Sequence, residues 1–185
     1  MQFDITDGET FIQEETRDLE STIAYIEEHT RGDRIESTDR ERRYRLIKEI
    51  VADPHQPCVL IHLRVEATLA WMKSLRIYAL LAPHLDVGGW GNSTRRLQVA
   101  GHTILLAWKN GTYLAMGTNV GFIKASCGYV GASDGWQDLM NNMRLDWDYE
   151  RAEDGSVAGW WAMDLTKDAG GTIGRAFGGR ANADG

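Results

Sequence analysis

The stretch Ile104-Leu105-Leu106-Ala107-Trp108-Lys109-Asn110-Gly111-Thr112-Tyr113-Leu114-Ala115-Met116-Gly117 sets two apolar runs on either side of an Asn-Gly pair. Asn-Gly adopts the positive φ values of a type I′ turn, whose twist matches paired antiparallel strands. The stretch therefore predicts a tight β-hairpin. Working outward, Ala100-Gly101 marks another turn just before it. In Cys58 to Glu66, Val59, Ile61, Leu63 and Val65 point one way, while His62, Arg64 and Glu66 point the other. That period of two is the mark of a half-buried strand. Leu75, Ile77, Ala79 and Leu81 repeat it, with Arg76 and Tyr78 between them. Leu145, Trp147 and Tyr149 alternate with Asp146, Asp148 and Glu150, which predicts a strand with rings packed on one face and carboxylates in water. Tyr44 to Val51 is a further strand, ended by Asp53-Pro54, and Ser21 to Ile26 is read as a strand after a polar loop. One short helical turn is expected over Ser133–Met140, with Ser133 or Asp134 as N-cap. Many short strands separated by turns point to an all-β sandwich or barrel.

Composition agrees. The chain has 185 residues, which suits one domain that hides roughly 70% of its unfolded surface. It holds 20 Gly and only 3 Pro, and Gly-rich turns between strands favour the all-β reading. The net charge is −7 and no basic block stands out, which argues against nucleic acid as a partner. Cys58 and Cys127 belong to no CxxC or Cys/His cluster and are read as two small buried residues. No stretch is long enough to span a membrane, and Met1-Gln2-Phe3-Asp4-Ile5 lacks the basic start of a signal peptide. A soluble chain is expected, with no location assigned. After Gly170, Gly and Ala crowd around Arg175, Phe177 and Arg180, so residues 166–185 are expected to be a disordered tail behind a domain of residues 1–165.

Chemistry-bearing patterns are few. The histidines are His29, His55, His62, His84 and His102, and no two have metal-ligand spacing, so neither a metal nor a cofactor is expected. His84 follows Pro83 at a strand end, where loops carry function. Gly88-Gly89-Trp90-Gly91-Asn92-Ser93 has no Lys to meet a phosphate and reads as a tight loop with one aromatic. Its Trp90 could stack on a sugar, but such a ring is more often a plug against a neighbouring domain. The chain's 27 carboxylates could supply an acid–base pair, but glycoside hydrolysis needs two in facing positions, and Asp146, Asp148 and Glu150 read as a solvated face.

Three segments resemble the N-terminal domain of glycoside hydrolase family 15, the glucoamylases and glucodextranases of prokaryotes. They are Leu80-Leu81-Ala82-Pro83-His84-Leu85 with Gly89-Trp90-Gly91-Asn92-Ser93; Cys127 to Leu139, around Ser133-Asp134-Gly135-Trp136-Gln137-Asp138; and Asp146 to Gly155. Thr6-Asp7-Gly8-Glu9-Thr10-Phe11 and Tyr44 to Ile50 look similar too, so the resemblance covers about Phe3 to Gly155. It implies an antiparallel super-β-sandwich of the galactose-mutarotase-like kind, followed in the family by an (α/α)6 barrel. That barrel carries both catalytic glutamates of an inverting, glucose-releasing exo-hydrolase of the glucan 1,4-α-glucosidase type. The chain inherits no catalytic residue from it. The sandwich is expected to be incomplete at both ends: the family's usual first strands are expected to be missing before Met1, and Val157 to Leu165 matches the family poorly. The resemblance implies a non-catalytic domain fragment that supports the folding and packing of a helical-barrel catalytic domain, with α-glucan as a further candidate partner. The alternatives are a carbohydrate-binding module, with Trp90, Trp136 and His84 as contacts, and a stand-alone mutarotase-like sugar enzyme using His84. Ser133–Leu139 is expected to be a structural corner, with Trp136 filling space between sheets or between domains.

Overall fold

The computed structural model describes residues 1–28, 32–120, 122–163 and 170–178. In chain order the elements are β1 (Gln2–Thr6), β2 (Ile12–Glu14), α1 (Glu15–Asp18), β3 (Glu20–Tyr25), β4 (Gly32–Thr38), β5 (Tyr44–Ala52), β6 (Cys58–Ala67), α2 (Leu69–Ser74), β7 (Arg76–Leu81), β8 (Asn92–Val99), β9 (His102–Lys109), β10 (Thr112–Thr118), β11 (Phe122–Tyr129), α3 (Gly135–Asn142), β12 (Arg151–Gly155), β13 (Val157–Met163) and β14 (Gly170–Gly178). They form two antiparallel sheets. The smaller has the order β11-β13-β7-β1-β2, and the larger β12-β8-β9-β10-β14-β6-β5-β4-β3.

The hairpin around Asn110-Gly111 joins β9 to β10, with Thr112 opposite Lys109. Asn110 and Gly111 take φ values of 47° and 78°, the double positive a type I′ turn requires. Ala100 and Gly101, at 50° and 82°, do the same between β8 and β9. The main core lies between the sheets. The smaller sheet contributes Phe3, Ile5, Ile77 and Trp161, and the larger contributes Leu46, Leu63, Leu105 and Leu114. At its margin Lys48 donates to the buried Glu15 carboxylate at 2.6 Å, and Ser37 donates to the same group at 2.7 Å. Burial of this ion pair demands that saturation, since a lone buried charge is costly.

Four expectations need correction. β7 does not alternate in burial. Tyr78 is buried as fully as Ile77, because the outer face of the smaller sheet is covered by a second cluster of Tyr78, Leu80, Trp160, Leu139 and Leu145. Residues 145–150 form no strand. Their backbone N–H groups go to side chains instead: Trp147 N–H to Asp138 Oδ2 at 2.7 Å and Tyr149 N–H to Ser126 Oγ at 2.8 Å. Those acceptors replace a ladder, while Asp146, Asp148 and Glu150 do face solvent. Within 166–185, residues Gly170–Gly178 are strand β14, paired to β10 and β6 inside the larger sheet. The remainder of that stretch lies outside the described residues, as does His29. Finally, Val157–Met163 is the second strand of the smaller sheet, with Trp160 and Trp161 fully buried. Cys127 is buried as expected, Cys58 is half-buried, and both are free thiols.

Candidate functional site

β7 and β11 both run antiparallel to β13, which lies between them, so they point the same way. The connections that follow them, residues 82–91 and 130–134, therefore leave from one end of the smaller sheet. His84 and Trp90 lie on the first, and Trp136 follows the second.

Residues 82–91 are organised by one buried side chain. Asn92 is 0% exposed. Its Oδ1 accepts from Leu85 N–H at 3.0 Å, and its Nδ2 donates to the carbonyls of Gly88 (3.0 Å), Gly89 (2.8 Å) and Trp90 (3.4 Å). With those groups fixed, the chain takes positive φ at Asp86 (46°), Val87 (56°), Gly88 (111°) and Gly91 (71°). A β-branched residue in that region is a genuine outlier and stores strain. Asp86 is tied to the β9–β10 turn by a 2.7 Å hydrogen bond from Asn110 Nδ2. The loop thus holds Val87 and Trp90 outward, 96% and 78% exposed. His84 is exposed beside it, its Nε2 3.3 Å from where a Cβ on Gly89 would sit.

The 130–134 turn closes differently. Asp134 is 6% exposed, and its Oδ2 accepts from Gly131 N–H at 2.5 Å while its Oδ1 accepts from Gln137 N–H at 2.9 Å. It is the N-cap of α3, which runs two turns rather than the one expected. Ser133 Oγ accepts from Tyr129 N–H at 3.0 Å. Gly135 lies against the Trp160 ring, where a Cβ would come within 2.6 Å of it. Asp138 anchors the following segment through Trp147. Trp136 is half-buried against the outer cluster, with the Arg17 guanidinium 5.5 Å above its ring. The polar side chains of Ser133–Asp138 are thus occupied largely by neighbouring backbone.

Burial raises the proton affinity of two carboxyls. Asp4 is lifted to about 7, with Oδ1 held by Gln2 and Oδ2 unpartnered. Asp138 is raised by burial against the pull of Trp147 and Asp146 N–H groups. Both are sealed, at 0% and 1% exposure, so neither can reach a substrate proton as a general acid must. Among the described residues no cluster of three His, Cys, Asp or Glu side chains is placed to hold a metal ion. No helix among them is long and apolar enough to cross a membrane. The structure brings His84 and Trp90 onto one loop and sets Trp136 apart on α3. Sequence reasoning singled out this loop but missed Asn92 as its clamp; the available signal was a small amide directly after Gly-x-Gly.

The family model described as glucodextranase, domain N, matches residues 1–184, including the segments after Gly155 that were expected to depart. A glucoamylase of Clostridium sp. (strain G0005) is 27% identical over 169 residues, taking in 91% of this chain and 24% of that protein. The crystal structure of a bacterial glucoamylase complexed with acarbose is 26% identical and matches with a TM-score of 0.92, covering 99% of this chain and 27% of that one. The chain spans about a quarter of the length of these relatives.

Proposed function

The chain belongs to the glucodextranase domain N family, and from that premise we propose that it is a non-catalytic domain that packs against a helical-barrel catalytic domain of a glucoamylase-like enzyme. The partner's reaction is inverting exo-hydrolysis releasing glucose from α-glucan ends. The observation that carries the reading is the Asn92-clamped loop. The side chains of Trp90 and Val87, held in water on a strained, rigid loop, contribute little to their own domain. The loop's backbone is already fixed, so docking against a second domain sacrifices little backbone entropy, and Trp is enriched among interface anchors. The sealed carboxyls support the non-catalytic part of the reading.

The test is a chimera in which this chain replaces the matching quarter of the Clostridium sp. glucoamylase. Trp90→Ala should lower the melting temperature of the chimera and leave that of the isolated chain unchanged. Equal effects on both, or none on either, would discard the docking role. A second reading, favoured by the same exposure of Trp90 beside His84, is contact with α-glucan. Titration of maltoheptaose into the isolated chain separates the two, since only a glycan contact gives binding that Trp90→Ala or His84→Ala abolishes. Trp136, covered by Arg17, is the weaker glycan candidate.

A further inference from the structure

The opposite end of the smaller sheet holds a different feature. There β7 and β11 begin and β13 ends, and the segment 144–146 and helix α2 close over them. Between them lies a cavity of about 340 Å³. This is within the size range of small-ligand pockets. Met72, Ile123 and Ala162 give it its accessible apolar floor, over Leu75, Leu145 and Met163, which are each only 5% exposed. Its rim is basic: Lys73, Lys124 and Arg144 line it against a single carboxylate, Asp146. That is a local excess of positive charge in a chain whose net charge is −7. The one acid is already engaged, since Asn142 Nδ2 donates to Asp146 Oδ2 at 2.5 Å. Among the described residues, none of the three cations forms an ion pair.

Lys124 is the informative member. Its ammonium donates to the carbonyls of Leu145 at 3.2 Å and Asp146 at 2.5 Å. An ammonium has three donors. Two hold the group in place, and the third has no hydrogen-bond acceptor among the described residues, the ammonium lying 6.0 Å from the Trp160 ring. Both partners are neutral carbonyls, which orient the charge without neutralising it. Arg76, the fourth basic residue of the lining, is engaged within the fold: its guanidinium lies at Gly8, in the turn between β1 and β2, and its side chain hydrogen-bonds Tyr78.

We propose that this cavity binds a small monocarboxylate with an aliphatic or aromatic body. The body would fill the apolar floor and the carboxylate would take the free Lys124 N–H and pair with Arg144. The floor disfavours a fully polar anion, and Asp146 in the same wall disfavours a multiply charged one. This site is independent of the loop at the other end and goes beyond the docking role.

The test titrates three probes into the intact chain, followed by calorimetry and amide NMR shifts. Octanoate carries body and charge, octan-1-ol carries the body alone, and acetate carries the charge alone. Octanoate should bind at least about tenfold more tightly than either, the worth of one charge-assisted hydrogen bond. Its shifts should centre on Lys124 and Leu145. Lys124→Gln should cost octanoate about tenfold and leave octan-1-ol unchanged. Arg144→Gln, at an exposed position, should weaken octanoate in the same direction. Equal affinity for octanoate and octan-1-ol, full octanoate affinity in both variants, or shifts centred elsewhere would overturn the proposal.

Discussion

Replacing Asn92 by Ala should unlock the loop that carries Trp90. In the folded chain the Asn92 side chain satisfies Leu85 N–H and three carbonyls. The Leu85 contact is buried, so its donor would be left without water, at a cost of about 1–3 kcal/mol. The carbonyls are partly buried and water can recover them in part. Two lost amide donors then cost about 1 kcal/mol each. The sum is about 3–5 kcal/mol. In a domain of this length each kcal/mol moves Tm by about 2–4 °C, so Asn92→Ala should lower Tm by roughly 10 °C. Asn92→Asp is the sharper probe. It keeps the acceptor for Leu85 but sets a carboxylate against the carbonyls of Gly88, Gly89 and Trp90. Its penalty should therefore be larger at pH 7 than at pH 4. The assay is thermal unfolding by circular dichroism, with Trp90 fluorescence reporting the loop. A Tm loss below about 2 °C for Asn92→Ala would refute the clamp, because one uncompensated buried N–H already exceeds it.

Other outcomes follow from the same structure. Asp4 holds its proton more tightly folded than unfolded, with a pKa near 7 against an ordinary 3.8. Its contribution is complete below pH of about 4 and is lost as pH rises through 7, so Asp4→Asn should flatten the fall in Tm between pH 4 and 7. Lys48→Ala strands the buried Glu15 carboxylate and should cost about 3–5 kcal/mol in chemical denaturation, while Lys48→Ala with Glu15→Gln should recover part of it. Gly128→Ala places a Cβ 1.9 Å from the Ser133 carbonyl oxygen, a backbone collision, and should abolish the cooperative melt. Trp136→Ala removes a half-buried ring from the outer cluster and should lower Tm without changing maltoheptaose binding.

Local chemistry made much of this fold legible. Asn110-Gly111 and Ala100-Gly101 wrote their turns directly, since few pairs accept two positive φ values. β6 was legible because one face meets the core and the other meets water: Ile61, Leu63 and Val65 are buried while His62 and Arg64 are exposed. Where both faces are buried the pattern vanishes, as in β7, and in β13, where Trp160 faces the outer cluster and Trp161 the core. Residues 145–150 misled for the opposite reason: alternating rings and carboxylates satisfy a strand pattern, yet Asp138 and Ser126 take the N–H groups a ladder would use. β14 was hidden by its glycines, which carry no period, though β10 and β6 pair with it on both sides. At the candidate site, the sequence displayed Trp90 and His84 but not the role of Asn92: the amide after Gly89-Trp90-Gly91 was visible, but which of the neighbouring backbone groups it binds is set by the loop's folded path.

Glucose release by the purified chain from maltose, starch and dextran tests the central claim most directly. A non-catalytic domain predicts none above background, because the proposed reading assigns the facing carboxylate pair that glycoside hydrolysis needs to the helical-barrel domain. Turnover that survives repurification would contradict it.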